Sequence, residues 1–175
     1  ERFQIRVNNR KILNGFYAML SLAEQAGEIM RTVDKLDKIG SEKVGMLLRE
    51  EAGLSEEQAG EILSFISIAG TNAEVLAALE RYRGRHPLFD QGLEELTTVT
   101  RYLAAFGVPE DHFRVDLTIA RGLDYYTGTV YETAMLDHPE IGSICSGGRY
   151  DNLAEFYTDK QLPGVGISIG LTRLF

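Results

Sequence analysis

The spacing at which apolar residues recur changes twice along the chain, so no single class of secondary structure fits it. Phe3, Ile5 and Val7 alternate with polar residues as in a strand. From about residue 33 the spacing becomes three to four, as in amphipathic helices, and from Phe113 it returns to two. The sequence therefore predicts an α+β protein, with strands in its first and last parts and an all-helical stretch between them.

The helical stretch between residues 33 and 86 carries three helix start signals. They are Ser41 before an apolar stripe and two capping boxes, Ser55 with Gln58 and Thr71 with Glu74. Gly53 is placed to end the first of these helices. We therefore expect a small helical module here. A further helix is predicted over residues 93–107, with a stripe of Leu96, Val99, Leu103 and Phe106.

The remaining residues predict strands. One runs from Phe113, with its apolar residues on one face; it bends within residues 121–128, returns over 129–136 and comes back over 143–148. Three consecutive strands of this kind predict an antiparallel meander. We expect a helix over residues 150–157, and then a glycine-spaced strand that leads into a last helix.

Composition excludes several classes of function. The chain has 175 residues, 44% of them hydrophobic, and its net charge of −8 argues against non-specific coating of nucleic acid. Cys145 is the single cysteine and the three histidines are scattered, so no metal-ligand spacing appears and no metal site is expected. An apolar run of membrane-spanning length and a secretory signal are both missing, which favours a cytoplasmic protein without a membrane partner. The first and last residues fall inside predicted elements, which suggests an excised fragment.

Arg121 follows a strand and opens the segment "RGLDYYTGTVYE". A guanidinium matches the oxygens of a carboxylate or a phosphate, although a structural ion pair with Asp124 is the commoner role for a lone arginine. Tyr125 and Tyr126 are expected to alternate across the strand, so that one phenol faces the site and the other packs. Two adjacent tyrosines are also ordinary sheet residues.

Two glycine-rich segments are further candidates. In "GGRYD", Gly147 and Gly148 would let a ligand approach the backbone, Tyr150 would project nearby, and Asp151 would suit a helix N-terminus. A bulge followed by a helix cap explains the same residues. In "GVGISIGLTRL" the glycine spacing does not fit a dinucleotide fingerprint. Glycines at every second position of this strand would leave one face of the sheet without side chains, so that a flat ligand could lie there. Arg173 would contact that ligand from the following helix.

A cluster of basic residues ends the helical stretch. Arg81, Arg83 and Arg85 surround Tyr82. Cations favour the C-terminal end of a helix, so a solvated terminus is the commoner interpretation. Contact with an RNA backbone is the alternative.

Taken in order, "RGLDYYTGTVYE", "GGRYDNL" and "GVGISIGLTRL" resemble the histidyl-tRNA synthetases, a family of class II aminoacyl-tRNA synthetases. The first two are similar to the family's histidine-specific motifs and the third to class II motif 3. The resemblance implies an antiparallel sheet flanked by helices, in which residues 1–32 and 87–175 form part of the class II catalytic domain, from after motif 2 through motif 3. It also implies that residues 33–86 form the family's helical insertion domain.

The resemblance implies a role for each matching residue. Arg121 would contact the histidine carboxylate and the α-phosphate of ATP and is the candidate catalytic residue. Histidine would be bound by Arg121, Tyr125, Tyr126, Tyr150, Gly147 and Gly148. ATP, accompanied by Mg²⁺, would be bound by Arg121, Gly170 and Arg173. Arg81, Arg83 and Arg85 are the candidates for tRNA contact.

The resemblance also implies partners and limits. The full-length protein would bind L-histidine, ATP and tRNA(His) and form a homodimer. Motifs 1 and 2 and the anticodon-binding domain do not appear among these residues, so the fragment alone is expected to be inactive. The family dimer depends largely on motif 1 and is therefore not implied for the fragment, for which a monomer is open. The alternative is a synthetase-like regulatory subunit of histidine biosynthesis, which would bind histidine without charging tRNA.

Overall fold

The fold is taken from a computed structural model, which describes residues 2–120 and 125–174. The described strands are β1 (Phe3–Asn9), β2 (Phe113–Val115), β3 (Thr129–Met135), β4 (Ser143–Tyr150) and β5 (Gly164–Ile169). The described helices are α1 (Arg10–Met19), α2 (Ala26–Val33), α3 (Leu36–Glu50), α4 (Glu56–Ile66), α5 (Asn72–Glu80), α6 (Pro87–Ala105) and α7 (Leu171–Leu174). The mixture of one sheet and many helices confirms the predicted α+β class.

The described strands form one sheet in the order β2-β1-β3-β4-β5. The pairs β1–β3, β3–β4 and β4–β5 are antiparallel, whereas β1 and β2 are parallel. The predicted meander was therefore wrong at its first step, because β1 lies between β2 and β3. It was right for the return from β3 to β4. The strand that starts at Phe113 is also shorter than predicted, because Asp116 begins a turn in which its carboxylate accepts hydrogen bonds from Thr118.

The helical stretch is built from local signals. Both capping boxes are present, at Ser55 with Gln58 and at Thr71 with Glu74. Gly53 follows α3 with a φ of 69°, a left-handed conformation that favours glycine, so it ends the helix as predicted. The range Leu36–Glu50 contains two helical segments that meet at Gly40, whose backbone is non-helical, and the second segment begins next to Ser41, where the sequence predicted a helix start.

One buried apolar cluster joins the helices to the sheet. It extends from Val7 on β1 through α1 to the helical stretch, where Phe16 of α1 stacks on Phe65 of α4 with ring centroids 3.8 Å apart. Helices α1 and α6 pack unusually closely, because Gly15 and Gly92 lie where their backbones meet. A Cβ at Gly92 would lie 2.6 Å from the backbone nitrogen of Ile12. This packing fixes α1, which follows β1 directly, against the long helix α6.

Two predicted helices differ from the structure. The stripe assigned to α6 is buried at Leu96, but Phe106 is 83% exposed because the helix ends at Ala105 and Gly107 turns the chain with a φ of 77°. The helix expected over residues 150–157 is only a single 3₁₀ turn, Leu153–Phe156. Among the described residues, no helix is long and apolar enough to cross a membrane.

Candidate active site

A cavity of about 670 Å³ opens on the sheet where β3, β4 and β5 lie side by side. Tyr125 and Tyr126 line it from the loop before β3, and Arg173 lines it from α7. Glu132 and Ser146 contribute from the strands. Its walls therefore combine aromatic rings, hydroxyls and charges of both signs, a lining that suits a small polar ligand.

A polar row crosses the sheet below this cavity. Arg6, Glu132, Ser146 and Ser168 are successive register partners on β1, β3, β4 and β5. Directly paired residues of antiparallel strands point to the same face, so these side chains share one side of the sheet. Three of the four line the cavity. The register thus places a carboxylate and two hydroxyls along its floor.

Arg6 connects this floor to neighbouring elements. One of its terminal nitrogens, Nη2, lies 3.4 Å from Glu132 Oε2, and Nη1 lies 3.6 Å from Asp116 Oδ2 and 3.2 Å from Asp37 Oδ2 on α3. Burial works against the charge of Asp116, but hydrogen bonds from Thr118 and the positive charges of Arg114 and Arg6 outweigh it. The pKa of Asp116 therefore lies below its ordinary value. Arg6 thus joins three carboxylates, one from α3, one from the turn after β2 and one from β3.

Tyr125 and Tyr126 lie together rather than on opposite faces. Their ring centroids are 4.8 Å apart and meet edge to face, and Tyr125 also meets Tyr150 edge to face at 5.8 Å. The expected alternation was wrong because these residues lie in the loop before β3, where the period of two does not hold. Burial, followed by the hydrogen bond with Tyr125, raises the pKa of Tyr126 to about 12. Its phenol therefore stays neutral at physiological pH.

The glycines of β4 allow this aromatic packing. A Cβ at Gly148 would lie 2.9 Å from Tyr126 Cδ1 and 2.8 Å from the Thr129 carbonyl oxygen. A Cβ at Gly147 would overlap the Gly166 carbonyl oxygen and the Tyr131 hydroxyl, which donates a hydrogen bond to that same carbonyl at 2.7 Å. Gly147 lines the cavity, whereas Gly148 lies under the Tyr126 ring.

The glycines of β5 are not bare. Tyr150 lies over Gly164 and Gly166, where added Cβ atoms would meet its ring. The expectation of an open glycine face for a flat ligand was therefore wrong at these two positions. Gly170 does line the cavity, beside Arg173, which donates a hydrogen bond from Nη1 to the Ser143 carbonyl oxygen.

Asp151 has a different role from the helix cap that the sequence suggested. Its carboxylate accepts hydrogen bonds from Thr127 Oγ1 at 2.6 Å and from Arg149 Nε at 2.9 Å. These two hydrogen bonds, that of Thr127 first, hold the pKa of Asp151 below its ordinary value. Sequence reasoning missed Thr127 and Glu132. The strand period could have placed Glu132 on the face of Ser146, but no local pattern pairs Thr127 with Asp151, 24 residues away.

The remaining predicted site residues are Arg121 and the basic cluster of Arg81, Arg83 and Arg85. Arg121 lies outside the described residues. The basic cluster lies where α5 ends: Arg83 is paired with Glu80, with Nη2 2.7 Å from Oε1, and the Arg85 guanidinium lies 5.6 Å from the centre of the Tyr82 ring. Arg81 caps the C-terminal end of α5. Cys145 is half-buried and lines the cavity. Within residues 2–120 and 125–174, no group of three or more potential metal ligands comes together.

The sequence matches the protein family described as histidyl-tRNA synthetase over residues 1–174. A histidine–tRNA ligase of Clostridium tetani is 52% identical over 100% of this chain, which covers 39% of that protein. One from Xanthomonas axonopodis is 50% identical over 99% of this chain and 38% of its own length. The chain thus spans about two fifths of the length of these curated relatives.

Solved structures agree in fold. A histidyl-tRNA synthetase from Nostoc sp. superposes with a TM-score of 0.94 at 46% identity, over 99% of this chain and 41% of that one. A Bacillus halodurans structure is described as an ATP phosphoribosyltransferase regulatory subunit/histidyl-tRNA synthetase. It superposes with a TM-score of 0.74 at 21% identity, over 97% of this chain and 42% of that one, and so shares the fold alone.

Proposed function

Since the chain belongs to the histidyl-tRNA synthetase family, we propose that it forms part of an ATP-dependent histidine–tRNA ligase. The proposed reaction joins L-histidine and ATP to histidyl-adenylate and then transfers the histidyl group to tRNA(His). The observation that carries the proposal is the cavity, which places a tyrosine pair and Arg173 on one sheet face. Its occurrence in a chain about half identical to histidine–tRNA ligases supports the same assignment.

The chemistry of activation requires charge neutralisation more than proton transfer. A carboxylate attacks the α-phosphate of ATP, so two anions must approach while pyrophosphate leaves. A guanidinium is a permanent cation with five N–H donors. Arg173 donates one hydrogen bond to the Ser143 carbonyl oxygen, and its other N–H groups can bind a triphosphate. Arg121 is proposed for the α-phosphate and the histidine carboxylate, and Mg²⁺ enters with ATP as part of the substrate. Gly170 provides close backbone approach next to Arg173.

Selection of histidine is assigned to the tyrosine pair. A neutral phenol both donates and accepts, and each nitrogen of a neutral imidazole does one of the two. Because the pKa of Tyr126 is raised to about 12, its hydroxyl keeps its proton in the working pH range. A site that hydrogen-bonds the substrate rejects an isostere without that group strongly, since its own polar atoms would be left unpaired. Tyr150 supports Tyr125 by its edge contact and Gly148 supports Tyr126 from below.

The domain division and the macromolecular partners are part of the same proposal. Residues 33–86 are proposed as the helical insertion domain, and residues 1–32 and 87–175 as part of the catalytic domain of a cytoplasmic homodimer. For tRNA contact, Arg81 and Arg85 are better candidates than Arg83, because the Arg83 guanidinium is already paired with Glu80.

A regulatory subunit of histidine biosynthesis is the second candidate, because the Bacillus halodurans structure shares this fold. Its identity of 21% compares with 52% for the Clostridium tetani ligase, a difference that favours the ligase. The two candidates predict different behaviour toward tRNA, since a regulatory subunit would bind histidine without transferring it.

Charging of tRNA(His) by the full-length protein tests the proposal. We expect ATP-dependent transfer of labelled histidine, and we expect Arg121→Ala to lose it while histidine binding is weakened less. Histidine binding by the wild-type protein without any transfer would support the regulatory candidate instead. Full transfer by Arg121→Ala would remove that residue from the activation step.

A further inference from the structure

The loop that carries the tyrosine pair is held at every described position. Tyr125 meets the Tyr150 ring, and Tyr126 lies on Gly148. The Thr127 amide donates to the Arg149 carbonyl at 2.9 Å, and the Gly128 carbonyl accepts from the Arg10 amide at 3.0 Å. A loop has no hydrogen-bonded ladder of its own, so contacts of this kind determine its conformation.

A further contact of this loop is a hydrogen bond between two side chains, those of Thr127 and Asp151. Thr127 Oγ1 donates to Asp151 Oδ2 at 2.6 Å, while Asp151 Oδ1 lies 2.9 Å from both Nε and Nη2 of Arg149. Hydrogen bonds to a charged group are shorter and stronger than neutral ones. The carboxylate is therefore fixed by Arg149, and it fixes Thr127 in turn.

The hydrogen bond between Thr127 and Asp151 lies next to the Tyr126 ring. Tyr126 precedes Thr127 directly, and its ring rests on Gly148, three residues before Asp151 on the same segment. The loop is thus fixed to β4 at two points, one under the ring and one at Thr127. The Arg149 side chain lies beside Gly128, so that a Cβ added to that glycine would be 3.1 Å from its Cδ. Thr127, and with it the backbone that carries Tyr126, cannot move away from this segment without breaking the hydrogen bond to Asp151.

We propose that Thr127 and Asp151 are positioning residues for substrate selection, which hold the Tyr126 phenol at the angle that accepts an imidazole. The proposal rests on the function proposed above. Neither side chain lines the cavity, so their effect on the amino acid would pass through Tyr126. ATP would be affected less, because two of its three proposed ligands, Gly170 and Arg173, follow β5 and only Arg121 belongs to the segment that carries Thr127.

Thr127→Val tests this directly, because it keeps the shape of the side chain and removes the hydroxyl. Thr127→Ser keeps the hydroxyl and is the rescue variant, and Thr97→Val makes the same change at an exposed position of α6. In the full-length protein we expect Thr127→Val to raise the KM for histidine about tenfold, with the KM for ATP within about twofold of wild type. Thr127→Ser and Thr97→Val should both behave as wild type.

A second measurement makes the test independent of catalysis. In the full-length protein labelled with ¹³C-tyrosine, Thr127→Val should shift the ring resonances of Tyr126, and Thr127→Ser should leave them near their wild-type positions. Unshifted Tyr126 resonances in Thr127→Val would overturn the inference, even if the protein proved inactive. An unchanged KM for histidine in an active protein would overturn it while leaving the proposed function intact. An equal rise of both KM values would also overturn it, since that result indicates general damage.

Discussion

Gly148→Ala should weaken histidine binding by displacing the Tyr126 ring. The added methyl would lie 2.9 Å from Tyr126 Cδ1, 3.1 Å from Cε1 and 2.8 Å from the Thr129 carbonyl oxygen. Carbon atoms at optimal contact are about 3.5–4.0 Å apart, so the ring must retreat by several tenths of an ångström. Overpacking of this kind costs about 1–3 kcal/mol. The displaced ring must return to its original position to bind histidine, so the part of this cost that arises only in the complex weakens binding, by as much as about 150-fold.

Two glycines of the same chain provide graded controls. Gly60 lies within α4, where an added methyl would have no atom within 4 Å, so Gly60→Ala should leave binding unchanged and stabilise the helix by about 0.5–1 kcal/mol. Gly166→Ala is intermediate, because its methyl would lie 3.2 Å from Tyr150 Cε1. The affinity of the full-length protein for histidine is measured by isothermal titration calorimetry. The free energy of unfolding is measured for each variant beside it.

A double-mutant cycle separates the ring from the backbone. In a Tyr126→Ala background the ring is absent, so Gly148→Ala should cost less unfolding free energy than it does in the wild type. An affinity for histidine within twofold of wild type in Gly148→Ala would refute the reasoning. So would an equal unfolding cost in both backgrounds, because the clash would then involve only the Thr129 carbonyl.

Two further predictions concern stability. Gly92→Ala should destabilise the protein by about 1–3 kcal/mol in urea unfolding, because its methyl would lie 2.6 Å from the Ile12 backbone nitrogen; wild-type stability would show that α1 and α6 separate easily. The pKa of Asp116 in the folded protein lies below its ordinary value of 3.8. Its negative charge therefore stabilises the fold above about pH 4, and this contribution to the free energy of unfolding is lost as the pH falls through the pKa of the folded state. Asp116→Asn should therefore flatten the acid side of the stability profile below about pH 4, and an unchanged acid limb would contradict the assigned ion pairs.

The sequence predicted best those features that depend on neighbouring residues. Both capping boxes are local hydrogen-bond patterns, and Ser55 with Gln58 and Thr71 with Glu74 form them as expected. The position of β1 between β2 and β3 was not predictable in this way, because it depends on pairing across more than a hundred residues: Ile5 with Phe113, and with Thr133. Period-two alternation identifies strands but not their neighbours.

In the candidate site, likewise, the residues could be predicted from local motifs but their arrangement in space could not. Tyr125, Tyr126, Gly147, Gly170 and Arg173 were named from their motifs and all line one cavity. Their arrangement was not predictable from the motifs, because the tyrosine rings pack on each other and a third ring, that of Tyr150, covers the β5 glycines. These contacts depend on side-chain packing between strands rather than on spacing along the chain.

Amino-acid-dependent ATP–pyrophosphate exchange by the full-length protein, with each of the common amino acids supplied in turn, tests the proposed function most directly. We expect exchange with histidine and little with any other amino acid, because a neutral phenol in the cavity wall selects an imidazole. Measurable histidine binding with no exchange would contradict the activation chemistry assigned to this site. Equal exchange with several amino acids would contradict the role assigned to the tyrosine pair.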